Sequence, residues 1–114
     1  MKTYLDDIIA SHRALAATDS REVAILRARA IDAPTPPSFA DALAARATLG
    51  VIAELKRRSP SKGSLVGEVD LEHRVKTYEA AGAAAISVLT DGPYFGGSLA
   101  DLEQVVGATS IPRL

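Results

Sequence analysis

Apolar residues in the first part of the chain recur at helical spacing. From Gly50 onward they fall alternately into short strand runs and helical stripes. Leu5, Ile8, Ile9 and His12 make one stripe and predict a helix from Thr3 to Ala16. Thr3 can cap it, and Asp6 and Asp7 suit the positive end of its dipole. Thr18-Asp19-Ser20 interrupts the pattern, and Ser20 is the candidate cap of a second helix running through Val23, Ile25, Leu26 and Ile31. Ala33 to Pro37, APTPP, reads as a linker, because prolines remove backbone donors and push the residues before them out of helical space. Ser38 with Asp41 three residues on opens a short helix, Phe39 to Arg46. Residues 1–49 therefore read as a helical extension. Its stripes are narrow and need a partner surface to bury them.

The second pattern starts with Val51 to Lys56, a strand in which Val51, Ala53 and Leu55 share one face and Ile52, Glu54 and Lys56 the other. A polar loop, Arg57 to Val69, comes next. Asp70 then caps a helix with Leu71, Val75 and Tyr78 inward, and Gly82 ends it at a position suited to positive φ. Ala83 to Leu89 is apolar apart from Ser87, as a parallel strand covered by helices tends to be. The loop Thr90 to Gly97 leads to a helix capped by Ser98 and completed by Asp101, with Leu99, Leu102, Val105 and Val106 inward. Ile111 to Leu114 opens a third strand. Residues 50–114 thus form a parallel βαβ series, which builds either a doubly wound sheet or an eightfold barrel. Periodicity does not separate the two. Neither G-x-G-x-x-G nor G-x-x-x-x-G-K-[ST] comes after the first strand.

Composition narrows the function classes. Thirteen basic against fourteen acidic residues give a net charge of −1, so nothing global points to nucleic acid or a membrane surface. Cysteine is absent, which removes disulfides and thiolate metal sites and suits a cytoplasmic protein. His12 and His73 lie in helical segments, and neither a metal nor a cofactor is expected. The opening residues carry acids and no apolar stretch, so they do not read as a signal peptide.

The candidate chemistry lies in Glu54 and Lys56. A carboxylate and an ammonium two residues apart at the end of an apolar run either pair in solvent as an ordinary edge-strand ion pair or serve a ligand as acid, base or clamp. ELKRRSPSKG, with Glu54, Lys56, Ser59, Pro60 and Ser61 in place, resembles the first-strand signature Glu-x-Lys-x-x-Ser-Pro-Ser of the indole-3-glycerol-phosphate synthase family. SVLTDGPYFGGSLADL, Ser87 to Leu102, is similar to the family's second strand, the loop after it and the next helix. The resemblance implies the α/β class and a TIM (β/α)8 barrel. Only the first two βα units and the start of the third strand are present, since a whole barrel takes roughly 250 residues. It also implies the family reaction of tryptophan biosynthesis: ring closure of carboxyphenylamino-deoxyribulose phosphate with loss of carbon dioxide and water. Lys56 would bind substrate and take part in proton transfer, and Glu54 would orient it or act as base.

By the same resemblance Ser59 would face the ligand's polar end, although its Ser-Pro-Ser context also suits a plain turn. Leu89, on the face of Ser87, and Phe95 would line the side of the pocket that takes the anthranilate ring, or else serve an ordinary core. Gly96-Gly97-Ser98 reads as a turn and cap rather than an anion site. Lys56-Arg57-Arg58 and Lys62 read as a solvated loop rather than a nucleic-acid patch, for want of interleaved aromatics. The family's Lys-Asp-Phe segment in the third strand, its later glutamate and asparagine and its phosphate-holding loops have no counterpart in this sequence. Arg113 stands where the family usually has an aliphatic residue; by alternation it would point under the helix layer, which makes the last residues doubtful as a strand.

The partner implied is a phosphorylated small molecule, with no nucleic acid and no membrane. Open strand edges imply self-association. Alternatives are an inactive half-barrel assembly module that needs a complementary chain, and a sister phosphate-binding barrel such as phosphoribosylanthranilate isomerase. Glu54 and Lys56 are expected on the sheet face away from the helices.

Overall fold

The computed structural model describes residues 1–65 and 70–114, so the last part of the loop expected from Arg57 to Val69 lies outside the described residues. The chain divides into two compact units, Met1–Thr35 and Pro36–Leu114. The boundary falls within the proline linker, whereas the sequence pattern changes only at residue 50.

The first unit holds α1 (Tyr4–Thr18) and α2 (Val23–Asp32). Thr3 caps α1 in a full capping box: its side chain accepts from the Asp6 N–H, and its own N–H donates to Asp6 Oδ2 at 2.7 Å. The start of α2 differs from the expectation. Its N-cap is Glu22 without a side-chain hydrogen bond, because Asp19 is the residue that organises the turn, accepting from the Arg21 backbone and guanidinium. Neither helix buries a residue.

In the second unit α3 (Phe39–Ala44) is capped by Ser38, whose hydroxyl accepts from the Asp41 N–H at 3.2 Å. It is tied to the rest of this unit at two points: Leu43 packs on Gly50, and Arg46 Nη2 donates to the Ala83 carbonyl at 3.2 Å. β1 (Ile52–Leu55) leads into a short hairpin of two-residue strands, β2 (Arg58–Ser59) and β3 (Gly63–Ser64), where a loop was expected. α4 (Leu71–Ala80) is capped by Asp70 and stops before Gly82, whose φ of 95° only glycine adopts without strain. β4 (Ala85–Val88) pairs parallel with β1, Ile52 opposite Ala85 and Glu54 opposite Ser87. The loop after it contains a single turn of helix, α5 (Gly92–Phe95), and then α6 (Leu99–Ala108) begins at Ser98.

The last residues do pair. Ile86 donates to the Pro112 carbonyl and accepts from the Leu114 N–H, both at 2.9 Å, in parallel register with Arg113. Arg113, half-buried, satisfies its guanidinium on the Ile111 carbonyl at 3.3 Å. Arg113 is only half-buried, so part of its guanidinium still meets solvent and the objection to a guanidinium beneath helices is eased.

The core is one layer deep. Leu55, Ile86 and Val88 from the strands meet Leu71 and Val75 of α4 and Val105 of α6, with Ala53, Tyr78, Leu102 and Ile111 around them. Both helices therefore cover the same side of the sheet, as right-handed crossovers require. The inward stripe expected on α6 is narrower than its apolar residues: Leu99 is 70% and Val106 44% exposed. Val105 occupies the centre of the buried stripe, and Val106 is turned about 100° away from it.

Candidate functional site

Alternation along β1 turns Ile52 and Glu54 to the side without helices, and Lys56 comes next on that side at the strand's end. Lys56 Nζ lies 2.9 Å from Glu54 Oε1 and 5.7 Å from the centre of the Phe95 ring, within cation–π range. The pair is half in solvent, with side chains 32% and 46% exposed. Its ammonium is thus held by a carboxylate and a ring face, and part of the pair stays open to solvent.

The second loop brings Phe95 there. Asp91 caps α5 by accepting from the Tyr94 N–H at 2.9 Å, and Gly96 ends it in the left-handed region. Gly97 lies so close to β4 that a Cβ there would stand 1.8 Å from the Leu89 carbonyl oxygen. Leu89 extends the ladder, its N–H donating to the Leu55 carbonyl at 3.1 Å, and its half-buried side chain belongs by alternation to the Ser87 face. Glu54, Lys56, Phe95 and Leu89 therefore share one end and one face of the sheet.

Ser59 is differently engaged. Its hydroxyl accepts from the Lys62 N–H at 3.2 Å and lies 3.5 Å from the Ser61 hydroxyl, so it shapes its own hairpin turn. Arg57 and Arg58 were expected in a solvated loop; Arg58 is indeed exposed, but both also bond across to the next βα unit, Arg57 to α6 and Arg58 to the second loop. Arg57 pairs with Asp101 through two hydrogen bonds of 3.0 and 2.9 Å, and Arg58 Nη2 donates to the carbonyls of Gly92 and Pro93. The hydrogen bonds that Arg57 donates hold the Asp101 carboxyl below its ordinary range against the opposing push of burial, and the same bonds raise Arg57. Sequence offers little signal for such pairs, since 44 positions separate Arg57 from Asp101. Among the described residues no cluster of histidine and carboxylate side chains could hold a metal.

A family model for indole-3-glycerol phosphate synthase matches residues 5–114. The chain belongs to that family. It is 46% identical over 114 residues to an indole-3-glycerol phosphate synthase of Rhodopirellula baltica, covering 98% of this chain and 44% of the relative. It is 49% identical over 92 residues to the Desulfosudis oleivorans protein of the same name, covering 78% and 35%. A Bacillus thuringiensis protein of that name is 56% identical over 64 residues, covering 56% and 25%. The chain thus spans less than half the length of these relatives. The match favours the synthase over the sister isomerase. Among the described residues no helix is long and apolar enough to cross a membrane.

Proposed function

We propose that this chain supplies the ring-side part of an indole-3-glycerol-phosphate synthase site, on the first two βα units and the opening of the third strand of a (β/α)8 barrel. β1 and β4 are the first two barrel strands, and their bare face is the barrel interior. The observation that carries the reading is the Lys56 ammonium, held between Glu54 and the Phe95 ring at the C-terminal end of β1, where barrel enzymes place their chemistry.

Lys56 fits the role of a cation that meets the substrate and protonates the carbonyl oxygen as the ring closes. Glu54 fits that of a group which orients Lys56 or removes a proton during dehydration. Phe95 and Leu89 offer an apolar wall for the anthranilate ring. Ser59, whose hydroxyl serves its own turn, is assigned the ligand's polar end only on the strength of the family motif.

The family's phosphate-holding loops and the lysine of its third-strand Lys-Asp-Phe segment, which the resemblance makes a catalytic acid, lie outside these residues, so residues 1–114 by themselves are expected to form no indole-glycerol phosphate. Among the described residues no strand pairs with the outer edge of β1, and this with the exposed Ile52 favours a second reading alongside this one: the unit self-associates or docks a complementary chain.

The test is reconstitution with a second chain carrying the remaining strands of the Rhodopirellula baltica relative. Turnover is expected only in the mixture, and Lys56→Ala should reduce it by roughly 10²–10⁴-fold. Turnover by the isolated chain, or a mixture indifferent to Lys56→Ala, would show that the chemistry has been assigned to the wrong residues.

A further inference from the structure

Glu79 stands in the last turn of α4, one residue before its end, where the unpaired helix carbonyls disfavour a negative charge. That turn holds no basic residue to offset it. The partners of this half-buried carboxylate come from the far end of α6 instead. Oε2 accepts from the Thr109 hydroxyl at 2.7 Å and Oε1 from the Ser110 hydroxyl at 3.2 Å, so both oxygens are used. Thr109 Oγ1 in turn accepts from the Ile111 N–H at 3.3 Å. One carboxylate thus gathers two successive hydroxyls, in bonds that its charge strengthens.

Thr109 and Ser110 are the whole connection between α6 and the third strand, Ile111 to Leu114. That strand is weakly held at its start. Pro112 has no N–H, so the first backbone donor the strand offers β4 is that of Leu114, to the Ile86 carbonyl at 2.9 Å. The other bonds come from β4, Ile86 to the Pro112 carbonyl and Val88 to the Leu114 carbonyl, each at 2.9 Å. All three belong to one register, with Ile86 beside Arg113. A slip of one residue would carry Ile111 off the core and turn every following side chain to the other face. Glu79 fixes the two residues immediately ahead of Ile111, where the strand enters the sheet.

We propose that Glu79 is a positioning residue: by receiving Thr109 and Ser110 it seats the third strand against β4 in this register, and so decides which face the strand presents beyond Leu114. The consequence for chemistry rests on the synthase reading, in which that strand goes on to carry a lysine acid. The seating itself is read in this chain by backbone exchange, whatever Lys56→Ala does to turnover.

β4 supplies the control, because its two edges report separately. The N–H groups of Ile86 and Val88 bond to the third strand, whereas those of Ala84 and Leu89 bond to the Val51 and Leu55 carbonyls on the side of β1. The test is amide hydrogen exchange, followed residue by residue by NMR, in the wild type, Glu79→Ala, Thr109→Val and Thr109→Ser. Glu79→Ala should speed exchange at Ile86, Val88 and Leu114 by about tenfold, and Thr109→Val by about threefold, while Ala84 and Leu89 keep their wild-type rates. Thr109→Ser keeps the hydroxyl and should exchange as the wild type does. Thr109→Val leaves α4 and the carboxylate intact, so it reads the same contact without altering the helix end. The seating is overturned by a Glu79→Ala protein whose three amides keep their wild-type rates, or by Ala84 and Leu89 quickening to the same degree. It is equally overturned by a Thr109→Ser protein that behaves as Thr109→Val.

Discussion

The two faces of the β1–β4 sheet divide the same two four-residue strands between them and have opposite characters. One carries Ala53, Leu55, Ile86 and Val88 and is closed by α4 and α6. The other carries Ile52, Glu54, Ala85 and Ser87 beneath Lys56; Ala85 is buried, but Ile52 and Glu54 on β1 are open to solvent, with Ile52 44% exposed. Alternation alone assigns the residues to faces, and crossover handedness decides which face receives the helices. Stability is consequently concentrated on one side of a single backbone, and the proposed chemistry on the other. A carboxylate and an ammonium stand in a strand at little desolvation cost because water reaches them. The open side ends in loops, and the loops rather than the strands complete the site.

The widest separation between the faces should appear on truncation. Ile86 is fully buried between α4 and α6, so Ile86→Ala removes contacts and leaves a cavity, at about 2–5 kcal/mol. Glu54→Gln on the bare face should shift stability by no more than about 0.5 kcal/mol. Urea unfolding monitored by circular dichroism should therefore leave Ile86→Ala without a cooperative transition, since a unit with one helical layer has little margin. Glu54→Gln should unfold with the wild-type midpoint. Equal losses in the two variants would break the comparison.

Much of the closed face was legible in the sequence. Asp70, Ser98 and Gly82 mark the helix boundaries by local chemistry, and Val75, Ile86 and Val105 fall on the expected sides. Local signals were also available for α5, where Asp91, Pro93 and Gly96 are a cap, a first-turn proline and a left-handed stop packed into one turn, too short to register as periodicity. The long-range polar contacts were not legible. Arg57 and Arg58 look like solvated charge because their partners lie 44, 34 and 35 positions away. Glu79, which accepts from Thr109 at 2.7 Å and Ser110 at 3.2 Å, joins α4 to the start of the third strand in the same way. On the bare face, pattern placed Glu54 and Lys56 correctly, but the ring that Lys56 meets depends on loop geometry.

Two glycines sharpen the comparison at its next level. Gly97 belongs to the open side's second loop, and Gly97→Ala would drive a methyl group to 1.8 Å from the Leu89 oxygen and 2.7 Å from its carbon, both backbone atoms. The loop must move as a unit, costing about 1–3 kcal/mol. Gly107 lies within α6 with nothing within 4 Å of an added Cβ, so Gly107→Ala should stabilise by about 0.5–1 kcal/mol. Urea midpoints should move in opposite directions, and Gly97→Ala alone should also raise Lys56 acetylation. A Gly97→Ala protein with an unshifted midpoint would mean that the second loop is not pinned to β4.

The smallest effect concerns the tie between the two sides, and pH reads it. Asp101 titrates below the ordinary aspartate range because Arg57 donates to its carboxylate, so folding favours the charged form. A carboxylate depressed in the folded state contributes stability that is complete above its unfolded value, near pH 4, and that drains away as pH falls through the lower folded value. With Arg57 about a third exposed, the contribution should be about 1 kcal/mol or less. Other carboxylates are also depressed, Asp19 of the first unit to about 2 beside Arg21, so the pH dependence of the wild type alone does not isolate Asp101. The difference between wild type and Asp101→Asn does, because the remaining groups cancel. Urea unfolding should favour the wild type by that margin at about pH 6, and the difference should shrink toward zero as pH falls below the ordinary aspartate range and Asp101 takes up its proton. A difference that persists unchanged at low pH would mean that Asp101 acts through its bond to Ser98 and its packing rather than through the charge that meets Arg57.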